Sequence, residues 1–148
     1  MAHSDQPLKE GHIHISAPHI YGSVIEALEL TPNSATSFLN IGSGTGYLSC
    51  IVATILGPSS TNYGVEIHQE AVDHCRDSIL MWKAESSSAN SDANIEILHG
   101  NGLHIDSVQG ESRMGLDRIY IGAAVEKSCL QKLASLLKPG GILVGPGM

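Results

Sequence analysis

Phe38-Leu39-Asn40-Ile41-Gly42-Ser43-Gly44-Thr45-Gly46-Tyr47 is the stretch that decides the fold. The apolar run Phe38 to Ile41 reads as a buried parallel strand, and the apolar stretch Tyr47 to Leu56 after the glycines reads as a helix. Strand, glycine turn and helix together let the backbone come close to a nucleotide-like ligand, because a Cβ would block the approach or the required dihedrals. A dinucleotide site wants its third glycine three positions after the second, and Tyr47 stands there. A nicotinamide-linked dehydrogenase is therefore disfavoured.

Strands and helices alternate outward from this turn. On the amino-terminal side, residues 1–11 are polar and read as a flexible segment, followed by one domain over residues 12–148. His12-Ile13-His14-Ile15 alternates and suits a short extended segment. Ser16-Ala17-Pro18 then starts a helix to about Leu30, with Tyr21, Val24, Ile25 and Leu28 at helical spacing. On the carboxyl side the spacing predicts a strand over 63–67, a helix over 70–85, a polar loop over 86–94 and a third strand over 95–98. A fourth strand over 116–121 and a helix over 126–137 follow. Lys138-Pro139-Gly140-Gly141 reads as a tight turn into a fifth strand, Ile142 to Val144. This order predicts an α/β fold: a mostly parallel sheet, helices on both faces, and a ligand at the carboxyl ends of the strands beside the first one.

Bulk properties narrow the partners. The 148 residues suit one domain with a sound core, and a mean hydropathy of +0.05 is that of a globular chain. A net charge of −7 without any basic run argues against nucleic acid or an anionic membrane as partner. Neither a membrane-length apolar stretch nor a signal-peptide pattern is present. Cys50, Cys75 and Cys129 form no paired motif and read as reduced thiols of a cytoplasmic or nuclear protein. The first two sit among apolar helix neighbours and read as core. Trp82 reads as packing, and Lys127 and Lys132 as solvated helix residues. His12, His14 and His19 lack the acidic or thiol companions of a metal site, so none is expected. Gly42-Ser43-Gly44 does not match a hydrolase nucleophile elbow.

Three features sit at the carboxyl ends of successive strands: the glycine loop, Glu66, and Gly100-Asn101-Gly102. Each alone has an ordinary explanation as a turn or a solvated charge. Together they form a convergent pocket, in which Glu66 can accept from ribose hydroxyls and Asn101 can reach an adenine edge.

The combination of His14-Ile15-Ser16-Ala17-Pro18-His19 with the glycine loop resembles protein-L-isoaspartate O-methyltransferases. The likeness extends through Gly64-Val65-Glu66, Gly100-Asn101-Gly102, Asp117 to Ala124 and Leu137-Lys138-Pro139-Gly140-Gly141. The Gly-x-Gly-x-Gly spacing is also similar to motif I of S-adenosylmethionine-dependent methyltransferases at large. The resemblance implies a Rossmann-like methyltransferase fold, S-adenosyl-L-methionine as cofactor, and carboxyl methylation of L-isoaspartyl (D-aspartyl) residues in protein repair. It implies a sheet of seven strands, so that with five the fold looks truncated after the fifth. It implies Ser16 as the active-site serine. Ile13, His14, Ile15, Ser16, Tyr21, Gly42, Ser43, Gly44, Gly46, Glu66, Ile67, Asn101 and Gly102 fall at its cofactor positions. The attacking carboxylate is already ionised at neutral pH, so no general base is required. The barrier falls through positioning and desolvation, and one hydroxyl can orient the acceptor.

The family usually carries Asp at the positions of Asn40 and Asn101. These departures look closer to its divergent, isoaspartate-methyltransferase-domain-containing branch, some members of which resemble ubiquitin-ligase adaptors. The alternative is thus a cofactor-binding adaptor with a ubiquitin-ligase partner rather than an enzyme.

Overall fold

The computed structural model describes residues 8–10, 13–15, 18–42, 44, 46–85, 93–100, 115–122 and 127–145. Among these, the elements run β1 (Leu8–Glu10), β2 (Ile13–Ile15), α1 (Pro18–Ala27), β3 (Ser37–Ile41), α2 (Tyr47–Leu56), β4 (Thr61–Glu66) and α3 (Gln69–Glu85). β5 (Ile95–His99), β6 (Leu116–Ile121), α4 (Lys127–Ala134) and β7 (Leu137–Val144) follow. β1 and β2 pair antiparallel, so part of the segment read as loose is a strand.

β3 to β7 form one parallel sheet in the order β5-β4-β3-β6-β7. The chain winds outward from β3 through β4 to β5, then returns to the other side of β3 to place β6 and β7. The switch point lies at β3, where the glycine turn leaves the sheet.

Alternation along the strands assigns each helix to a face. Leu39 and Ile41 of β3 pack with Tyr63, Val65, Ile119 and Ile121 against Leu130 and Leu133 of α4. Phe38, on the opposite face, packs with Val24 of α1, with Leu28 just past its end, and with Leu48, Val52 and Leu56 of α2. On that same face α3 lays Val72, Cys75 and Ile79 over Ile97, with Trp82 partly buried beside them. Helices cover both faces, which is why the central strands read as unbroken apolar runs rather than alternating ones.

Several boundaries differ from the sequence reading, α4 ending at Ala134 rather than near 137 among them, and two have a visible local cause. α1 stops at Ala27 because Glu29 takes a left-handed φ of 53° and the Leu30 amide reaches back to the Ile25 carbonyl at 3.2 Å. This is a closure usually made with glycine. The stretch Lys138 to Gly141 is not a turn before the last strand but a loop within it. Leu137 pairs with Leu116 and Ile142 with Arg118, so the four residues between oppose Asp117 alone. Gly140 makes this possible with a φ of 85°.

The amino ends of the strands are tied together at Asp117. Its Oδ2 accepts from the Thr36 amide at 2.9 Å, the Thr36 hydroxyl at 2.8 Å, the Ser37 amide at 3.2 Å and Lys138 Nζ at 3.4 Å. Burial pushes this carboxyl up, but the Thr36 donors and Lys138 outweigh it and hold the carboxyl at about 2.

Candidate active site

The site is assembled where β3, β4, β5 and β6 end. Past Ile41 the backbone turns through Gly42, Gly44 and Gly46, with φ of 79°, 59° and 84°. All three lie in the left-handed region, and this is the local reason for the Gly-x-Gly-x-Gly spacing. At Gly46 space is excluded as well: a Cβ would lie 2.7 Å from Cys75 Sγ and 3.1 Å from Ile79 Cδ1. The turn is thus wedged against α3. Gly46 also opens α2, with no side-chain cap among the described residues.

Backbone bonds carry the sheet into the site. The Gly42 amide donates to the Val65 carbonyl at 2.8 Å, the Gly100 amide to the Glu66 carbonyl at 2.9 Å and the Gly122 amide to the Ile41 carbonyl at 2.8 Å. A Cβ on Gly122 would lie 3.3 Å from the carbonyl oxygens of Ile41 and Gly42, so β6 ends close against the glycine turn.

The sequence-predicted residues fall as follows. Gly42, Gly44, Gly46, Glu66 and Ile67 come together. The Gly44 amide donates to Glu66 Oε2 at 2.9 Å, joining the turn to the end of β4. Ile67, just past the strand, is 56% exposed. Tyr21 of α1 meets Tyr47 at the opening of α2, with ring centroids 5.4 Å apart and planes tilted by 56°. Ile13, His14 and Ile15 form β2. Ser16, Ser43, Asn101 and Gly102 lie outside the described residues.

Asn40 does not sit in the open pocket. It is buried, and its Nδ2 donates to Ser49 Oγ of α2 at 3.2 Å, while Oδ1 has no hydrogen-bond partner among the described residues. Its register partners are Gly64 and Tyr120. Burial raises the Tyr120 phenol. Cys50 is buried too. Burial first, and then the neighbouring Cys75, push its thiol up to about 12, with Lys83 opposing, so it is a core residue and not a nucleophile.

Sequence reasoning missed two contacts. One is Tyr47 against Tyr21. The other is His99, whose Nε2 donates to the Ile67 carbonyl at 2.9 Å. The available signal for the second was the place of His99, directly before Gly100-Asn101-Gly102.

This topology and the glycine turn at its switch point define the Rossmann-like fold of S-adenosylmethionine-dependent methyltransferases. The chain superposes on a solved protein-L-isoaspartate O-methyltransferase with a TM-score of 0.74 at 19% identity, over 97% of this chain and 42% of that one. A model of the protein-L-isoaspartate(D-aspartate) O-methyltransferase family matches residues 1–147, and the chain belongs to that family. It is 32% identical over 148 residues to the protein-L-isoaspartate O-methyltransferase of Methanococcus vannielii, covering 98% of this chain and 63% of the relative. A Plasmodium falciparum structure described as a protein-L-isoaspartate O-methyltransferase, in complex with S-adenosyl-L-homocysteine, superposes with a TM-score of 0.71 at 25% identity. That match covers 97% of this chain and 66% of the other. The chain therefore spans about three fifths of the length of the curated relative it matches. Among the described residues no helix is long and apolar enough to cross a membrane.

Proposed function

We propose that the chain is the cofactor-binding and catalytic part of an S-adenosyl-L-methionine-dependent carboxyl O-methyltransferase. It acts on L-isoaspartyl (D-aspartyl) residues of cytoplasmic proteins as a step in their repair, and folds as one domain over residues 12–148. Family membership supports the reaction class. The observation that carries the site is the bond between the Gly44 amide and Glu66 Oε2.

The donor set suits an adenosine-bearing thioether. Glu66 spends part of one oxygen on Gly44 and keeps further lone pairs for ribose hydroxyls. Gly42 is exposed and without a side chain, so a ligand can lie against the backbone of the turn. When bound, the cofactor supplies an activated methyl group on a sulfonium. The chain's own residues then have three tasks in this reading. Gly42, Ser43, Gly44 and Gly46 shape the floor. Glu66, Ile67, Asn101 and Gly102 hold the nucleoside. Ile13, His14, Ile15 and Tyr21 close over the reacting end, where the Ser16 hydroxyl orients the acceptor carboxylate by one hydrogen bond. Transfer is a displacement in line with the departing thioether. It needs alignment and exclusion of water rather than proton transfer.

The adaptor reading draws on Asn40 and Asn101. Asn40 is engaged with Ser49 in the packing between β3 and α2, which gives the amide a structural role. The test pairs a thermal shift with S-adenosylhomocysteine and a vapour-diffusion assay for methyl ester on an isoaspartyl peptide. Stabilisation by about 2.7 kcal/mol at a hundred times the dissociation constant is expected, together with ester formation. A folded chain that shows neither sinks the proposal.

A further inference from the structure

β4 and β5 are joined beyond the end of their ladder by a side chain. The last backbone rung runs from the Gly100 amide to the Glu66 carbonyl at 2.9 Å. One residue further on, the Ile67 carbonyl has left the strand and accepts from His99 Nε2 at 2.9 Å. Glu66 and His99 are register partners, so both side chains leave the same face of the sheet. The imidazole stands beside Glu66 and reaches past it to the next carbonyl.

The dipeptide Glu66-Ile67 is thus held at three points. The Gly44 amide holds Glu66 Oε2, the Gly100 amide holds the Glu66 carbonyl, and His99 holds the Ile67 carbonyl. The first two donors are backbone groups and do not depend on side-chain identity. The third exists only because residue 99 carries a donor of the right reach. Ile67 is 56% exposed and has little packing of its own to fix it. We infer that His99 is a positioning residue, which pins Glu66 and Ile67 at the adenosine end of the cofactor site. This rests on the cofactor reading above. A carbonyl oxygen can only accept, so the bond requires the hydrogen on Nε2. Glutamine offers an amide donor at similar reach, whereas alanine offers none.

The test compares the native chain with His99→Ala and His99→Gln. Calorimetry measures S-adenosylhomocysteine and 5′-methylthioadenosine, which shares the nucleoside but lacks the amino-acid end. Hydrogen exchange over residues 66–68 is followed without ligand. His99→Ala is expected to weaken both ligands by the same factor, about tenfold, the scale of one lost hydrogen bond. It also speeds exchange at 66–68, and His99→Gln restores both. Native affinity in His99→Ala overturns the inference, as does a glutamine variant no better than alanine. If exchange responds but the native chain binds neither nucleoside, the tie is structural only and the cofactor reading fails with it.

Discussion

The Gly44 amide and Glu66 Oε2, 2.9 Å apart, connect the turn after β3 to the end of β4 through a bond that neither strand could make alone. The carboxylate is half-buried and charge-assisted, so the bond fixes its rotamer as well as the turn. Glu66→Gln keeps an oxygen for Gly44 but replaces the other acceptor by a donor. Affinity for S-adenosylhomocysteine should fall by roughly tenfold or more, with the melting temperature nearly unchanged. Glu66→Ala should lower both. Calorimetry and thermal melts read the two effects separately.

Gly46→Ala meets two obstacles at once, a φ of 84° and a Cβ 2.7 Å from Cys75 Sγ. The expected loss is about 2–4 kcal/mol, combining left-handed strain with overpacking. Urea unfolding measures it. Gly57, at φ 94° and ψ 171° in a region essentially reserved for glycine but with nothing within 4 Å of its Cβ position, should lose only the backbone-strain part, about 1–3 kcal/mol, on the same change.

Asn40→Asp places a carboxylate where burial favours its neutral form. The folded pKa then lies above the unfolded one, so stability close to that of the native chain is present below about pH 4 and is lost as pH rises through the raised value. A deficit of about 1–3 kcal/mol at pH 7 is expected, growing with pH in parallel urea titrations. Ser49→Ala should cost a similar amount at every pH, because it strips the partner from a buried amide.

Asp117 gives the opposite pH dependence. Its carboxyl is held at about 2 against an ordinary 3.8. The stability it contributes is complete above the ordinary value and is lost as pH falls through about 2. The amount is about 1–2 kcal/mol after discounting for the partial exposure of Lys138. Asp117→Asn should flatten the acid limb of the stability curve between pH 4 and 2.

Cys50 and Cys75 should resist alkylation in the native chain at pH 8 and react only on unfolding, since both are buried and the Cys50 thiol is pushed up to about 12. Peptide mapping after a timed pulse of iodoacetamide distinguishes the two states.

The alternation of parallel strands and helices around the glycine turn was legible because its signals are local. Helix α2 has the bounds expected from sequence, since Gly46 and Gly57 punctuate it at both ends with positive φ values that favour glycine. The strand end at Ile41 was legible because an apolar run meets glycine there, whereas β4 ends at Glu66, one residue before the expected end. What escaped is non-local or unsignalled. Glu29 closes α1 in a conformation its side chain does not advertise. Lys138 to Gly141 looked like a turn because its residues favour one, yet pairing on both sides absorbs it into β7. The Asp117 knot links Thr36 and Ser37 to a residue some eighty positions away, and the bond from His99 to Ile67 spans thirty-two. Asn40 shows why residue type alone misleads. Its amide looked like an altered pocket group, and its contacts make it a joint between strand and helix.

The three left-handed glycines carry a consequence for kinetics. A turn whose shape is dictated by stereochemistry and by contact with α3 is already in its receiving geometry before any ligand arrives. Capture at the floor should then need no loop ordering, association should run near the rate of diffusional encounter, and differences in residence time should arise from whatever closes over the top.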